Sequence, residues 1–508
     1  MTNKTNIQLR LDFKKATFGK IDERNVLNNL TGKEWLQLTR SVWFSKPIKN
    51  QLFSPSDIGN LIKLFTKKSM IIINLTPNYD SINKIGESLR RDIKNIDILD
   101  SNIKINHIFH YAIGCIHFPN ILNVSSENPE QIASQYKNFL SILDNNLKKV
   151  FDSLEDKKYL SLIINDFQIG KREINNTTNI IRLLQKIGFI FKGKIILALE
   201  KINSDFDKWF NNNHVFILNF QKNKNKLKKN KLPTELVIPS KFSLNNTKKL
   251  NLEGLNKTEL LKYLSTVWIS KTVLDKIGMI HPAPFSYVDI QKLISLFTEK
   301  NSTVIDPFVG VASTLIACGQ TKRKGIGIDL NENYIELSKE RLRQFNLLDE
   351  QELIAGDSLI EVNKIKKSID YCVTSPPYYN ILRNPGNGIR SDKSQFRQGV
   401  KYYTEKSNDL GNQKTYKKYL KLFRQIMKKV NKKLKKGSYC SIVISDFTVD
   451  KQETNVSGDM IEVMENAGFI YRGTIILVQN QKPLYPFGYP YAYVINHIHQ
   501  NVLNFEKL

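Results

Sequence analysis

The stretch YCVTSPPYYN, residues 371–380, decides how this chain is read. A short apolar run brings the backbone to Thr374; a serine, two prolines and two tyrosines follow. Proline fixes φ near −65° and has no amide hydrogen, so Pro376 and Pro377 stiffen the chain and hold neighbouring carbonyls outward. A rigid carbonyl and the Ser375 hydroxyl can both accept hydrogen bonds from an exocyclic amino group, and the ring of Tyr378 offers a stacking surface. That set of groups fits a nucleobase.

Outward from this stretch, apolar strand-like runs alternate with helix-like segments, the pattern of an open α/β sheet. STVID (302–306), KGIGIDL (324–330), SIDYCVT (368–374), YCSIVIS (439–445), GTIILVQ (473–479) and NVLNFE (501–506) read as strands. ASTLIACGQT (312–321) and NENYIELSKERLRQF (331–345) read as helices. Ligands of such sheets bind at the carboxyl ends of the strands, and the residues found there suit one. DPFVGVAST, residues 306–314, places a glycine turn before a helix whose first amide hydrogens are free. Asp329 closes the next strand, where a carboxylate suits ribose hydroxyls. Asp357 in AGDS stands at a further strand end, within reach of an adenine amino group.

The chain is internally repeated. RSVWFSK (40–46) matches STVWISK (265–271), and LIKLFTKKSMIIIN (61–74) matches LISLFTEKNSTVID (293–306). YLSLIINDF (159–167) answers YCSIVISDF (439–447), GFIFKGKIIL (188–197) answers GFIYRGTIIL (468–477), and LNFQK (218–222) answers LNFEK (503–507). The offset grows from about 225 to about 285 residues, so two copies of one domain are present, with insertions in the second. Residues 221–250, with nine lysines and one glutamate, read as a solvated basic linker between domains at 1–220 and 251–508.

Composition narrows the class. At 508 residues the chain holds two or three domains, and its net charge of +28 with a pI near 9.6 points to a polyanionic partner, in the first place nucleic acid. Cys115, Cys318, Cys372 and Cys440 lack zinc or disulfide spacing, which fits a reducing cytoplasm. No apolar run approaches the ~20 residues of a membrane helix, and no secretory signal is visible. His497 and His499 share one face of a strand without a third ligand, so no metal is expected.

The second copy resembles an amino-group DNA methyltransferase that uses S-adenosylmethionine. TSPPY is similar to the catalytic motif of the N4-cytosine members, DPFVGVAST to the cofactor-binding FxGxG motif, and HPAPFSY (281–287) to the cofactor-contacting motif preceding it. The resemblance implies two tandem Rossmann-like methyltransferase domains with mixed, mostly parallel sheets. It implies a cofactor site of Pro284, Phe285, Asp306, Phe308, Gly310, Ala312, Ser313, Thr314, Asp329 and Asp357. Ser375, Pro376, Pro377 and Tyr378 would be the catalytic set. Ala312 departs from the glycine often found there. The implied reaction is in-line attack by an amino nitrogen on a sulfonium methyl, which needs chiefly orientation and a proton acceptor. The target base must first leave the duplex. Cytosine carbon-5 chemistry would need a nucleophilic cysteine after a proline, and none is present.

Aligned on these motifs, the first copy has NLTPN (74–78) opposite DPFVG and GCIHFPN (114–120) opposite TSPPYYN. Asn74 and Asn78 replace the aspartate and glycine; Cys115, Ile116 and His117 replace the serine and prolines, and Phe118 keeps the ring. The first copy therefore reads as catalytically dead, either pairing with the live one in an intramolecular pseudo-dimer within a monomer or holding DNA, with a tandem of independent domains as the alternative. Residues 381–415, about 20 residues longer than their counterpart, carry Arg383, Arg390 and Arg397 for phosphate or base-edge contacts with double-stranded DNA. The function expected is a cytoplasmic, site-specific N4-cytosine methyltransferase, the protective half of a restriction–modification pair with a cognate endonuclease. The alternatives are adenine N6 or RNA as target and, further off, a nucleic-acid-binding protein without activity.

Overall fold

A computed structural model describes residues 19–47, 52–76, 78, 80–116, 118, 128–169, 172–200, 213–224, 235–236, 263–271, 275–283, 285–383 and 401–508. The first half contributes β1 (Val42–Ser45), β2 (Ile71–Asn74), β3 (Asp92–Asn95), β4 (Phe109–Cys115), β5 (Leu154–Ile164), the hairpin β6 (Phe167–Ile169) and β7 (Arg172–Ile174), β8 (Ile190–Leu199) and β9 (His214–Gln221). The second half contributes β10 (Val267–Ile269), β11 (Thr303–Asp306), β12 (Lys324–Asp329), β13 (Glu352–Ala355), β14 (Ile369–Thr374), β15 (Leu434–Ile444), the hairpin β16 (Phe447–Val449) and β17 (Gln452–Thr454), β18 (Phe469–Val478) and β19 (His499–Lys507).

Two large sheets result, ordered β1-β8-β9-β5-β4-β2-β3 and β10-β18-β19-β15-β14-β11-β12-β13. Strand for strand the orders coincide, and β13 is the one addition. Each sheet is parallel except for a single reversed strand, β9 or β19. The strands read from sequence all form. The strand end expected before Asp357 is that of β13; the two hairpins, with strands of three residues each, were not read from the sequence.

β14 is buried on both faces at nearly every position, as a central parallel strand must be. Cys372 lies fully buried within it, a core residue, and pairs in register with Cys440. The helix Tyr416–Lys433 packs Tyr416, Tyr419, Phe423, Ile426, Met427 and Val430 at three- and four-residue spacing, and Thr415 caps it by accepting from the Lys418 amide at 3.2 Å. Its eight basic residues and no acidic ones contrast with the counterpart Pro129–Ser153, which carries three of each.

The first residues of the stretch expected as a linker belong to the first half. Gln221 ends β9, and the Lys222 ammonium caps a helix by donating to the Phe151, Asp152 and Leu154 carbonyls. Among the described residues, no helix is long and apolar enough to cross a membrane and no cluster of metal-ligating side chains occurs. His497 instead faces Glu453 at 2.8 Å, and His499 Nδ1 lies 2.7 Å from the Ser41 hydroxyl.

Candidate active site

A cleft of about 680 Å³, mouth included, opens at the carboxyl ends of β11 to β14. Phe308, Asp329, Asp357, Ser375, Pro376, Pro377 and Tyr378 line it, each of them expected from the sequence. Backbone geometry brings them together. The chain leaves β11 through Gly310, whose φ of +52° is left-handed, and a Cβ there would stand 3.2 Å from His281 Nε2. The Gly310 amide donates to Asp329 Oδ2 at 2.9 Å, and Asn331 donates to Oδ1 at 2.8 Å. Burial raises the Asp329 carboxyl to about 7 despite these donors. Asp357 caps the helix Ser358–Lys364, and its second oxygen accepts from Asn408 at 2.7 Å.

Other expected residues support the cleft without lining it. Asp306 is buried, accepting from the Thr314 and Thr374 hydroxyls at 2.5 Å each and from the Phe308 amide at 3.0 Å; burial lifts its carboxyl to about 6. It ties two strand ends together. Thr314 is thereby spent on Asp306, and Ser313 accepts from Arg341 at 3.0 Å. Ala312 is fully buried with φ +64° at the start of the helix Ser313–Gln320. Phe285 packs into the apolar cluster under Trp268 and Ile290. Arg383 donates to the Gly411 carbonyl at 2.7 Å and lies over the Tyr402 ring, so it ties the loop to the core. Pro284, Arg390, Arg397 and His117 lie outside the described residues.

The Ser375 hydroxyl lines the cleft and has no hydrogen-bond partner among the described residues. Tyr378 is fixed at both ends: its hydroxyl accepts from the Ser445 amide at 3.0 Å, and its ring stacks on Phe447 with centroids 5.4 Å apart.

Sequence reasoning missed one wall. The segment 403–410 crosses the cleft, held by Asn331 donating to the Tyr403 carbonyl at 2.7 Å and by Asn408 on Asp357. His281 lies flat against Tyr403 and beside Tyr334, and burial lowers its imidazole to about 4, so it is neutral. Asp409 adds a third carboxylate, raised to about 6 by burial. Also missed was Arg341, fully buried, which grips Asp275 and donates to the Val311 carbonyl at 2.6 Å, bracing the loop after β11. His281 stood inside a quoted motif; Arg341 and Asp409 had no local signal.

A doubly wound sheet with Asp329 and an S-P-P-Y turn lining a cleft at its strand ends is the arrangement in which α/β enzymes hold ligands. The chain matches the DNA methylase family over residues 59–340 and 369–507, and it belongs to that family. It is similar to the type II methyltransferase M.HpaI of Haemophilus parainfluenzae, 30% identical over 115 residues, which are 22% of this chain and 33% of that one. It is also similar to the type II methyltransferase M.BglI of Bacillus subtilis, 38% identical over 65 residues, 13% of this chain and 19% of that one. The matched stretches span a third or less of these relatives' own length. TrmN from Thermus thermophilus, at 10% identity, superposes with a TM-score of 0.30 over 78% of this chain and 72% of its own, too low a likeness to carry weight.

Family membership implies S-adenosylmethionine as cofactor, and the residues present fit it. Asp329, Asp357 and Asp409 line a cleft in a chain of net charge +28. Three carboxyl groups to which no cation is bonded among the described residues suit a ligand carrying a sulfonium and an ammonium, with hydroxyl hydrogens to donate.

Proposed function

We propose that this chain is a site-specific DNA methyltransferase that transfers a methyl group to the N4 amino group of cytosine, as the protective half of a restriction–modification system. The observation that carries this reading is the unpartnered Ser375 hydroxyl beside Pro376 and Tyr378 in the cleft. An acceptor left unused by the fold, at the end of a stiffened turn, suits an amino group brought in from outside.

When bound, the cofactor supplies an already activated sulfonium methyl. Asp329 would hold its ribose, Asp357 its adenine, and Phe308 an apolar wall. Ser375 and the Pro376 carbonyl would accept from the target amine, orienting its lone pair, while the Tyr378 ring stacks on the extruded base. Such stacking is worth ~1–3 kcal/mol and offsets much of the cost of unpairing. Serine before the prolines favours cytosine over adenine.

The first copy reads as an inactive version of the same domain. Asn74, opposite Asp306, is bonded to Asn83 and Asn95 at 3.1 and 3.0 Å, and Leu75, Ile98, Ile116 and Phe118 are fully buried in one apolar cluster where the second copy has its cleft. Duplex DNA as partner is supported by the basic face of Tyr416–Lys433, where Lys417, Lys418, Lys421, Arg424, Lys428 and Lys432 are exposed.

Single-molecule sequencing of DNA from cells expressing the chain, beside Ser375→Ala and Tyr378→Ala controls, tests the proposal. It predicts N4-methylcytosine at one short motif, absent in both controls. N6-methyladenine instead would move the assignment to the other amino base, and methylation of RNA alone would remove DNA as substrate.

A further inference from the structure

The two halves meet across a pseudo-twofold axis. The Ser41 hydroxyl lies 2.7 Å from His499 Nδ1, and the Thr266 hydroxyl lies 2.8 Å from His214 Nδ1. Ser41 matches Thr266 and His214 matches His499 in the repeat, so the contact recurs with the halves exchanged, as in an isologous dimer. β7 packs on β18, and β17 on β8, in the same reciprocal way.

At the axis itself, each residue meets its own counterpart, and the counterparts differ. From 159 to 188 the repeat offset is a constant 280 residues, which pairs Arg182 with Glu462 and Thr178 with Gly458. Arg182 Nη2 donates to Glu462 Oε2 at 2.6 Å, and a Cβ on Gly458 would come within 2.0 Å of the Thr178 hydroxyl. A second copy of the C-terminal half at this face would set Glu462 against Glu462. The face therefore selects the N-terminal half of its own chain by charge, and Gly458 leaves the space that Thr178 fills.

This interface also reaches the cleft. Lys194, a buried residue of the first half, lies 3.0 Å from Asp446 Oδ2 and donates to Asn455 and Ser457 at 3.0 and 2.7 Å. Its counterpart is Thr474, so the cation is supplied in one direction only. Asp446 sits between Ser445, whose amide holds the Tyr378 hydroxyl, and Phe447, whose ring holds the Tyr378 ring. Arg182 also donates to Asp459 Oδ1 at 2.9 Å; Asp459 Oδ2 accepts from Tyr416 at 3.1 Å, and Tyr416 packs on Tyr379 with centroids 5.7 Å apart. Both tyrosines of the S-P-P-Y-Y turn are thus linked through a buried carboxylate of their own half to a cation from the other. Taking the cation away leaves Asp446 buried with the Ser457 amide at 2.8 Å, and Asp459 with the Tyr416 hydroxyl at 3.1 Å, but each without its ion-pair partner, and the segment carrying it is expected to loosen.

We propose that the N-terminal half is a dedicated, built-in partner and that Lys194 and Arg182 are positioning residues for the target-base pocket, acting through Asp446 on Tyr378 and through Asp459 on Tyr379. The proposal rests on reading residues 375–378 as that pocket.

The test uses the full chain with Lys194→Met and Arg182→Met, the conservative Arg182→Lys, and the isosteric Asp446→Asn in case Lys194→Met does not fold. Hydrogen exchange over residues 375–383 and 441–450 is read on the free protein, S-adenosylmethionine affinity by calorimetry, and single-turnover transfer of labelled methyl groups on plasmid DNA. Lys194→Met or Asp446→Asn is expected to speed exchange in both segments at least about tenfold, and to slow transfer about as much. Cofactor affinity should stay within about twofold, since its site shares no partner with these residues. Arg182→Met should slow transfer while Arg182→Lys restores it. Unchanged exchange in a folded Lys194 or Asp446 variant overturns the proposal, as does a defect confined to cofactor affinity. Faster exchange in the variants of a wild-type chain that methylates no DNA would sink the base-pocket reading while leaving the positioning of Tyr378 by the first half supported.

Discussion

The Gly310 amide donates to Asp329 Oδ2 at 2.9 Å, joining the turn after β11 to the end of β12 across the floor of the cleft. Gly310 is left-handed there, and a Cβ would crowd His281 at 3.2 Å. Gly310→Ala is therefore expected to weaken S-adenosylmethionine binding at least about tenfold, or ~1.4 kcal/mol. Asp329→Asn turns a donor toward one of the two amides and should do the same. Calorimetry checks both, and wild-type affinity in either variant would remove Asp329 from the cofactor site.

The cleft carboxyls give a pH dependence of defined sign. Asp329 is raised to about 7 and Asp409 to about 6, both by burial. At pH 6 the empty protein holds protons on this pair that a cationic ligand must displace. Cofactor affinity should rise from pH 5 to about 7.5 and then level, with proton release at pH 6 measured by calorimetry in buffers of different ionisation enthalpy. For stability the sign is opposite. Between their unfolded values near 4 and these raised values, the folded state binds more protons, so these groups lower stability as pH rises through that window.

Ser375 bonds to nothing in the described protein, so Ser375→Ala should leave the melting temperature unchanged while lowering the transfer rate on the order of 10²-fold, the usual cost of one lost transition-state partner. Tyr378→Phe differs. It keeps the ring but strands the buried Ser445 amide, at a cost of ~1–3 kcal/mol in stability. Equal thermal losses in both variants would show that the turn is structural only.

What the sequence made legible was local. Strands with apolar runs, the helices after β11 and β12, and the S-P-P-Y turn each carry their signal within a dozen residues, and the repeat exposed the first sheet through the second. Asp306 shows the limit: its position at a strand end is readable, but its capture by Thr314 and Thr374 depends on β14 lying next to β11. Arg341 and the wall at 403–410 were invisible for the same reason, since their partners are distant in sequence. Arg182 and Glu462 could have been paired only by a reader who knew where the axis passes.

The exposed lysines of Tyr416–Lys433 can be tested by salt dependence. If Lys417, Lys418 and Lys421 near the cleft end of that helix meet phosphates, changing all three to Gln should reduce the slope of log affinity against log salt by about 0.9 per lost contact, up to ~3 in all. Lys148→Gln with Lys149→Gln on the neutral counterpart helix should leave the slope unchanged. Equal slopes for both variants would place the DNA elsewhere.

Ala312 takes φ +64° where a side chain is strained by about 1–2 kcal/mol, and it does so at the first turn of the helix Ser313–Gln320. Glycine there removes the strain but adds ~0.5–1 kcal/mol of chain entropy to be lost on folding. Ala312→Gly should therefore be neutral or stabilising by up to ~1 kcal/mol, with cofactor affinity retained. Ala317→Gly, four residues inside the same helix, has no strain to relieve and should cost ~1 kcal/mol. Denaturant melts of the two variants decide it: a loss at Ala312 as large as that at Ala317 would mean the left-handed turn after Gly310 is not strained.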